Sequence, residues 1–134
     1  MILPENTTVA VADGEKLRLF RNRGHEPRIE LVALADPDIK VANRGSGNRH
    51  RSSAANPDAA RLGEDDFAAT AADYLNRQVL AGGVTQLFLI ADPRTLGEMR
   101  RHFHEALTSR LVGDLAKDLT GCGVDVIVAA IERA

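Results

Sequence analysis

The residues with the strongest chemical character lie in one short stretch: Arg44, Gly45, Gly47, Asn48, Arg49, His50 and Arg51. Arginines interleaved with glycines bring guanidinium groups and bare backbone close to phosphate oxygens, so the chemistry they suggest is RNA binding. Residues 40–51 hold four Lys/Arg and no acid, although the whole chain carries a formal net charge of −2. The basicity is therefore local. The competing reading is a solvated basic loop with no ligand.

Other chemistries find less support. Gly45-Ser46-Gly47 follows no apolar strand and is too short for a nucleophile elbow. There is no phosphate-loop motif and no dinucleotide fingerprint, so no cofactor is expected. His102 and His104 are two residues apart and point in different directions on a helix, which is not zinc spacing. With His25 they read as surface histidines, and His50 differs only by lying in the basic loop. Asp36 and Asp38 have no evident acid–base partner. The single cysteine, Cys122, excludes an intrachain disulfide and a cysteine-cluster metal site. It sits between two glycines and reads as a small turn residue. No catalytic residue and no metal ligand is assigned.

At 134 residues the chain is long enough for one domain burying about two-thirds of its unfolded surface. With no tryptophan, the core must come from Leu, Val, Ile and Ala, with Phe20, Phe67, Phe88 and Phe103 as its large pieces. The N-terminus lacks the pattern of a secretory signal, and no apolar run approaches the ~20 residues of a membrane span. A cytoplasmic protein with no membrane partner is the expectation.

The elements that must position these residues follow from hydrophobic period and turn chemistry. Residues 7–12 alternate, with Val9 and Val11 opposite Ala10 and Ala12, as in a half-buried strand. Asp13-Gly14 is a tight-turn signal, because both residues tolerate positive φ. Residues 16–23 alternate again, Leu17 and Leu19 opposite Arg18 and Phe20, and complete a hairpin. Residues 28–34 make a third strand with Ile29, Leu31 and Ala33 on one face.

Residues 40–55 have no period. A helix then starts at Pro57 or at Glu64, with Asn56-Pro57 the preferred start, and runs to about Ala81. Gly82-Gly83 suits its left-handed end. Residues 87–91 form an unbroken apolar strand. Asp92 is an N-cap and Pro93 a first helical residue. Leu96, Met99, Phe103 and Leu107 make one stripe of a helix ending near Leu107.

Gly97 inside that helix costs about 1 kcal/mol against alanine, which close approach to the sheet would explain. Arg94–Glu98 and Arg101–Glu105 are spaced as i,i+4 pairs. Residues 111–119 fit either a helix or a strand. Residues 124–131 have helical spacing but are rich in β-branched residues. The order predicts an α/β or α+β sheet that begins with an antiparallel three-strand meander, with helices packed on it.

A set of short motifs runs through the chain in order: Val11-Ala12-Asp13-Gly14 with residues 17–20, Phe67-Ala68, residues 87–100, and Lys117-Asp118-Leu119-Thr120. With them the chain resembles the bacterial host-attachment protein family, regarded as a divergent branch of the middle domain of archaeal and eukaryotic peptide-chain release factors. The resemblance implies an α/β fold with a mixed central sheet beginning with an antiparallel three-strand meander and about three helices packed on it, in the single domain over residues 1–134 whose flexible basic loop is at about 38–56. It favours a strand near 111–117 and a helix from about Val124.

The motif residues Asp13, Asp92, Pro93, Leu96, Gly97, Arg100, Lys117 and Asp118 then read as structural. In release factors the loop after the third strand carries a Gly-Gly-Gln tip that enters the peptidyl-transferase centre. The corresponding residues here, about 43–51, hold Gly45-Ser46-Gly47-Asn48 and no Gln. No water-positioning residue carries over, so peptidyl-tRNA hydrolysis is not expected.

The leading expectation is a non-enzymatic protein whose basic loop contacts RNA on the ribosome. The alternative is a protein–protein interaction module, or a homo-oligomer, joined through an open sheet edge. A hydrolase using His50 ranks last.

Overall fold

The computed structural model describes residues 1–37, 39 and 57–134, and of 57–62 the backbone alone. Its centre is the strand β1 (Thr8–Ala12), buried at every position. The alternation of the sequence predicts one buried face, but helices cover both. Val9 and Val11 pack in a cluster with Ile127 and Ile131. Ala10 and Ala12 pack in another with Phe67, Ala71 and Leu75.

The remaining strands are β2 (Leu17–Asn22), β3 (Leu31–Ala33), β4 (Leu87–Ala91) and β5 (Leu111–Ala116). Their order in the sheet is β3-β2-β1-β4-β5. β1 and β3 both run antiparallel to β2. β4 runs parallel to both β1 and β5. The expected mixed sheet with its opening antiparallel meander is therefore present.

β3 is shorter than the residues 28–34 predicted. The Asn22 side-chain oxygen accepts from Glu30 N–H at 2.9 Å and Gly24 N–H at 3.0 Å. Those backbone donors are spent on a side chain rather than on a strand ladder.

Four helices pack on the sheet among the described residues: α1 (Pro57–Leu80), α2 (Pro93–Arg100), α3 (Glu105–Thr108) and α4 (Val124–Arg133). Side chains of the first three share one apolar cluster, which includes Phe67, Leu75, Leu96, Met99 and Leu107. α4 supplies the other face. The helix after the basic segment starts at Pro57 rather than Glu64. It ends at Leu80, and Gly82 two residues on has a φ of 84°, the left-handed conformation that glycine adopts without strain.

The two ambiguous segments resolve as the strand β5 and the helix α4. At β5 the register slips once, between Leu87 and Phe88. Gly113 lies opposite Phe88, and a Cβ there would stand 2.9 Å from the ring. The ring occupies the space a side chain would need.

The expected single helix over 93–107 is instead α2 and α3, separated by a turn. The cause is Asn76 of α1, which is 2 % exposed. Its amide nitrogen donates to the His102 carbonyl at 2.9 Å and its oxygen accepts from His104 N–H at 3.0 Å. One side chain thus satisfies the backbone groups that the break releases.

The expected ion pairs change with it. Arg94 reaches Asp65 of α1 at 2.9 Å, and Arg101 pairs with Glu98 at 3.4 Å. Gly97 is exposed and nothing lies within 4 Å of where its Cβ would be. Close approach to the sheet is therefore not the reason for this glycine.

Two stability changes follow. Asn76→Ala strands a buried carbonyl and a buried N–H, and should cost about 2–3 kcal/mol in urea denaturation. Gly97→Ala relieves only a helix-propensity penalty and should gain about 1 kcal/mol in the same assay. A loss on Gly97→Ala would mean that the glycine serves the fold in a way the open space denies.

Candidate functional site

In open α/β sheets ligands bind beyond the carboxyl ends of parallel strands. Here those ends are in register: Ala12 of β1 pairs with Ala91 of β4, which pairs with Ala116 of β5. Asp13, Asp92, and Lys117 with Asp118 follow those three alanines directly. Four of the motif residues picked from the sequence are therefore placed at one edge of the sheet.

Each has a local role. Asp92 is extended (φ −60°, ψ 156°) and caps α2, its carboxylate accepting from Thr95 N–H at 3.1 Å. Pro93 follows at the first helical position. Leu96 turns inward to the core, and Arg100 bridges to Asp114 of β5 at 2.6 Å.

Asp13 does not take positive φ, as the turn reading supposed; the described non-glycine residue that does is Asn6. Instead one Asp13 oxygen accepts from Glu15 N–H at 2.7 Å and Lys16 N–H at 2.6 Å. This is an Asx turn, a side chain standing in for a backbone acceptor. A Cβ at Gly14 would lie 2.7 Å from Glu64 Cγ, so a side chain there would have to displace that exposed glutamate.

The other Asp13 oxygen accepts from the Thr120 hydroxyl at 2.7 Å. Asp118 Oδ1 lies 3.0 Å from the same hydroxyl and 3.4 Å from Thr120 N–H. One hydroxyl hydrogen faces two carboxylates, and the shorter distance assigns it to Asp13.

Arg18 completes the arrangement. Its guanidinium sits 4.9 Å from the Phe20 ring centroid and donates to the Thr120 and Cys122 carbonyls, each at 2.9 Å. Arg18 and Asp13 together fasten residues 117–123 to the hairpin that opens the chain. Sequence reasoning missed Thr120 and Arg18 as partners. The signal for the first is Asp118-Leu119-Thr120, an Asx-type spacing. That for the second is an arginine sharing a strand face with Phe20.

The contacts at this edge join segments of the chain distant in sequence. Burial raises the Asp13 pKa, but the Thr120 hydroxyl, the Glu15 and Lys16 N–H groups and the Lys16 charge together outweigh it, and the net shift is downward. A carboxylate held ionised in this way is a poor general base near neutral pH. No group of three metal-ligating side chains occurs among the described residues. His25, His102 and His104 are exposed, as expected. Arg44, Gly45, Gly47, Asn48, Arg49, His50 and Arg51 lie outside the described residues, in the segment between β3 and α1. No described helix is long and apolar enough to cross a membrane.

A family model, the bacterial archaeo-eukaryotic release factor family 12, matches residues 6–131. The chain belongs to that family. The match takes in the whole sheet and most of α4. The release-factor likeness of the sequence motifs agrees with it. No curated protein matches the chain.

The Asp13 geometry sets a pH dependence. Its folded pKa lies below the unfolded value near 4, so its contribution is full above that value and is lost as pH falls through the folded pKa. The stability difference between wild type and Asp13→Asn should be constant from pH 7 to about 5 and shrink below about pH 4. Denaturant titrations at stepped pH measure it. A difference that grows in acid would contradict the assignment.

Proposed function

We propose that this protein contacts RNA on the ribosome through the basic Gly/Arg segment at residues 40–51 and does not hydrolyse peptidyl-tRNA. The observation that carries this reading is the coincidence of family and position. In a release-factor family member, the segment between β3 and α1 stands where release factors carry their peptidyl-transferase-centre loop. Here that segment has four Lys/Arg, no acid and no Gln. The cations suit phosphate contact, while no side chain replaces the one that positions water in release factors. A ribosomal partner puts the protein in the cytoplasm.

A second reading has one observation in its favour. β5 is an edge strand of six residues, five half-buried and Ala116 exposed, long enough to pair with a strand of another protein or of a second copy.

Ribosome co-sedimentation separates the two. Wild type should pellet with ribosomes at low salt and not at high salt. The Arg44→Ala/Arg49→Ala/Arg51→Ala variant should stay in the supernatant throughout. With three phosphate contacts, log K should fall with log salt at a slope of about 2. Binding that the triple variant retains would sink the proposal. Salt-insensitive binding or a stable dimer would favour the β5 edge.

A further inference from the structure

α2 turns Leu96 and Met99 into the core and presents Pro93, Arg94, Gly97 and Arg101 to solvent, with Arg100 on one flank. Gly97 lies at the middle of this outer face. It is exposed, open space surrounds its Cβ position, and its φ is not in the left-handed region. The fold thus gains nothing from a glycine there, although a helical glycine is unfavourable. What the glycine does provide is a bare patch of helix backbone.

The charges around that patch are sorted by depth. Arg94, Arg100 and Arg101 side chains are 48 %, 52 % and 76 % exposed, while their partners Asp65, Asp114 and Glu98 are 29 %, 27 % and 19 % exposed. The carboxylates sit inboard and the guanidinium groups outboard. Each recorded arginine–carboxylate contact uses a single nitrogen of the guanidinium, Nη2 in Arg94 and Arg100 and Nη1 in Arg101. A guanidinium has five N–H donors, so the pairing leaves most of each fork uncommitted to its carboxylate.

We infer that this face, Gly97 bracketed by Arg94, Arg100 and Arg101, seats the phosphodiester backbone of an RNA strand. The inference rests on the RNA-contacting reading above but names a different surface. Arg94 and Arg101 are about 10 Å apart along the helix axis, one on each side of Gly97. A polyanion crossing at Gly97 meets a guanidinium on both sides. A second copy of the chain fits poorly: antiparallel helices crossing at Gly97 would set the Arg94 end of one against the Arg101 end of the other, arginine against arginine. Asp92 occupies the start of the helix with its own carboxylate, so the seat is the side of α2 and not its N-terminus.

The test is fluorescence anisotropy with a labelled single-stranded oligoribonucleotide across a salt series, each variant's melting temperature being measured alongside. Gly97→Gln fills the bare patch without a clash inside the fold. It should melt no lower than wild type and bind roughly tenfold more weakly. Arg94→Gln/Arg101→Gln should flatten the slope of log K against log salt by about 1.4, two single-strand phosphate contacts. The Arg44→Ala/Arg49→Ala/Arg51→Ala variant is run beside them. If it alone loses affinity, the α2 seat is overturned and the loop reading stands. If the α2 variants alone lose affinity, the seat stands and the loop reading falls. Wild type that binds no RNA overturns both.

Discussion

The fold depends on one constraint: β1 and β4 pair in parallel and are buried on both faces. Parallel strands must be joined by a crossover, and helices have to cover both sides of the sheet. α1 makes that crossover and covers one face with α2 and α3, while α4 covers the other. Apolar burial on both sides leaves no room within the strands for polar side chains that do chemistry. The polar residues are displaced to the strand ends, and Asp13, Asp92 and Asp118 are found there.

At that edge two carboxylates hold the chain together. Asp92 starts a helix, and Asp13 shapes a hairpin turn while binding Thr120. Arg18 holds the same loop through two carbonyls. A position where related architectures bind ligands is here a fastening between the first hairpin and the β5–α4 connection. Among the described residues, the outer side of α2 is a surface the fold does not need for its core.

What the sequence disclosed, and what it hid, follows from the range of each interaction. The hairpin and the Asp92-Pro93 helix start are local, and residue type and spacing suffice to read them. The break between α2 and α3 was not legible, because Leu96, Met99 and Leu107 keep their helical period and all reach the same core. The residue that interrupts the helix, Asn76, lies 26 positions before the carbonyl it binds. Thr120 meets Asp13 across 107 positions. Contacts of that range leave no periodicity in either segment. Gly97 was visible as an anomaly, but its cause was misplaced: the sequence cannot say which side of a helix a glycine leaves bare.

RNA contact through residues 40–51 and the outer side of α2 is what we propose for this release-factor-family fold. Ultraviolet cross-linking of the protein to ribosomes, followed by mass spectrometry of the cross-linked peptides, tests it most directly. The account predicts RNA adducts confined to peptides spanning residues 40–51 and 94–101. Adducts confined to the β5 edge or the α4 face, or none in a complex that still co-sediments, would contradict it.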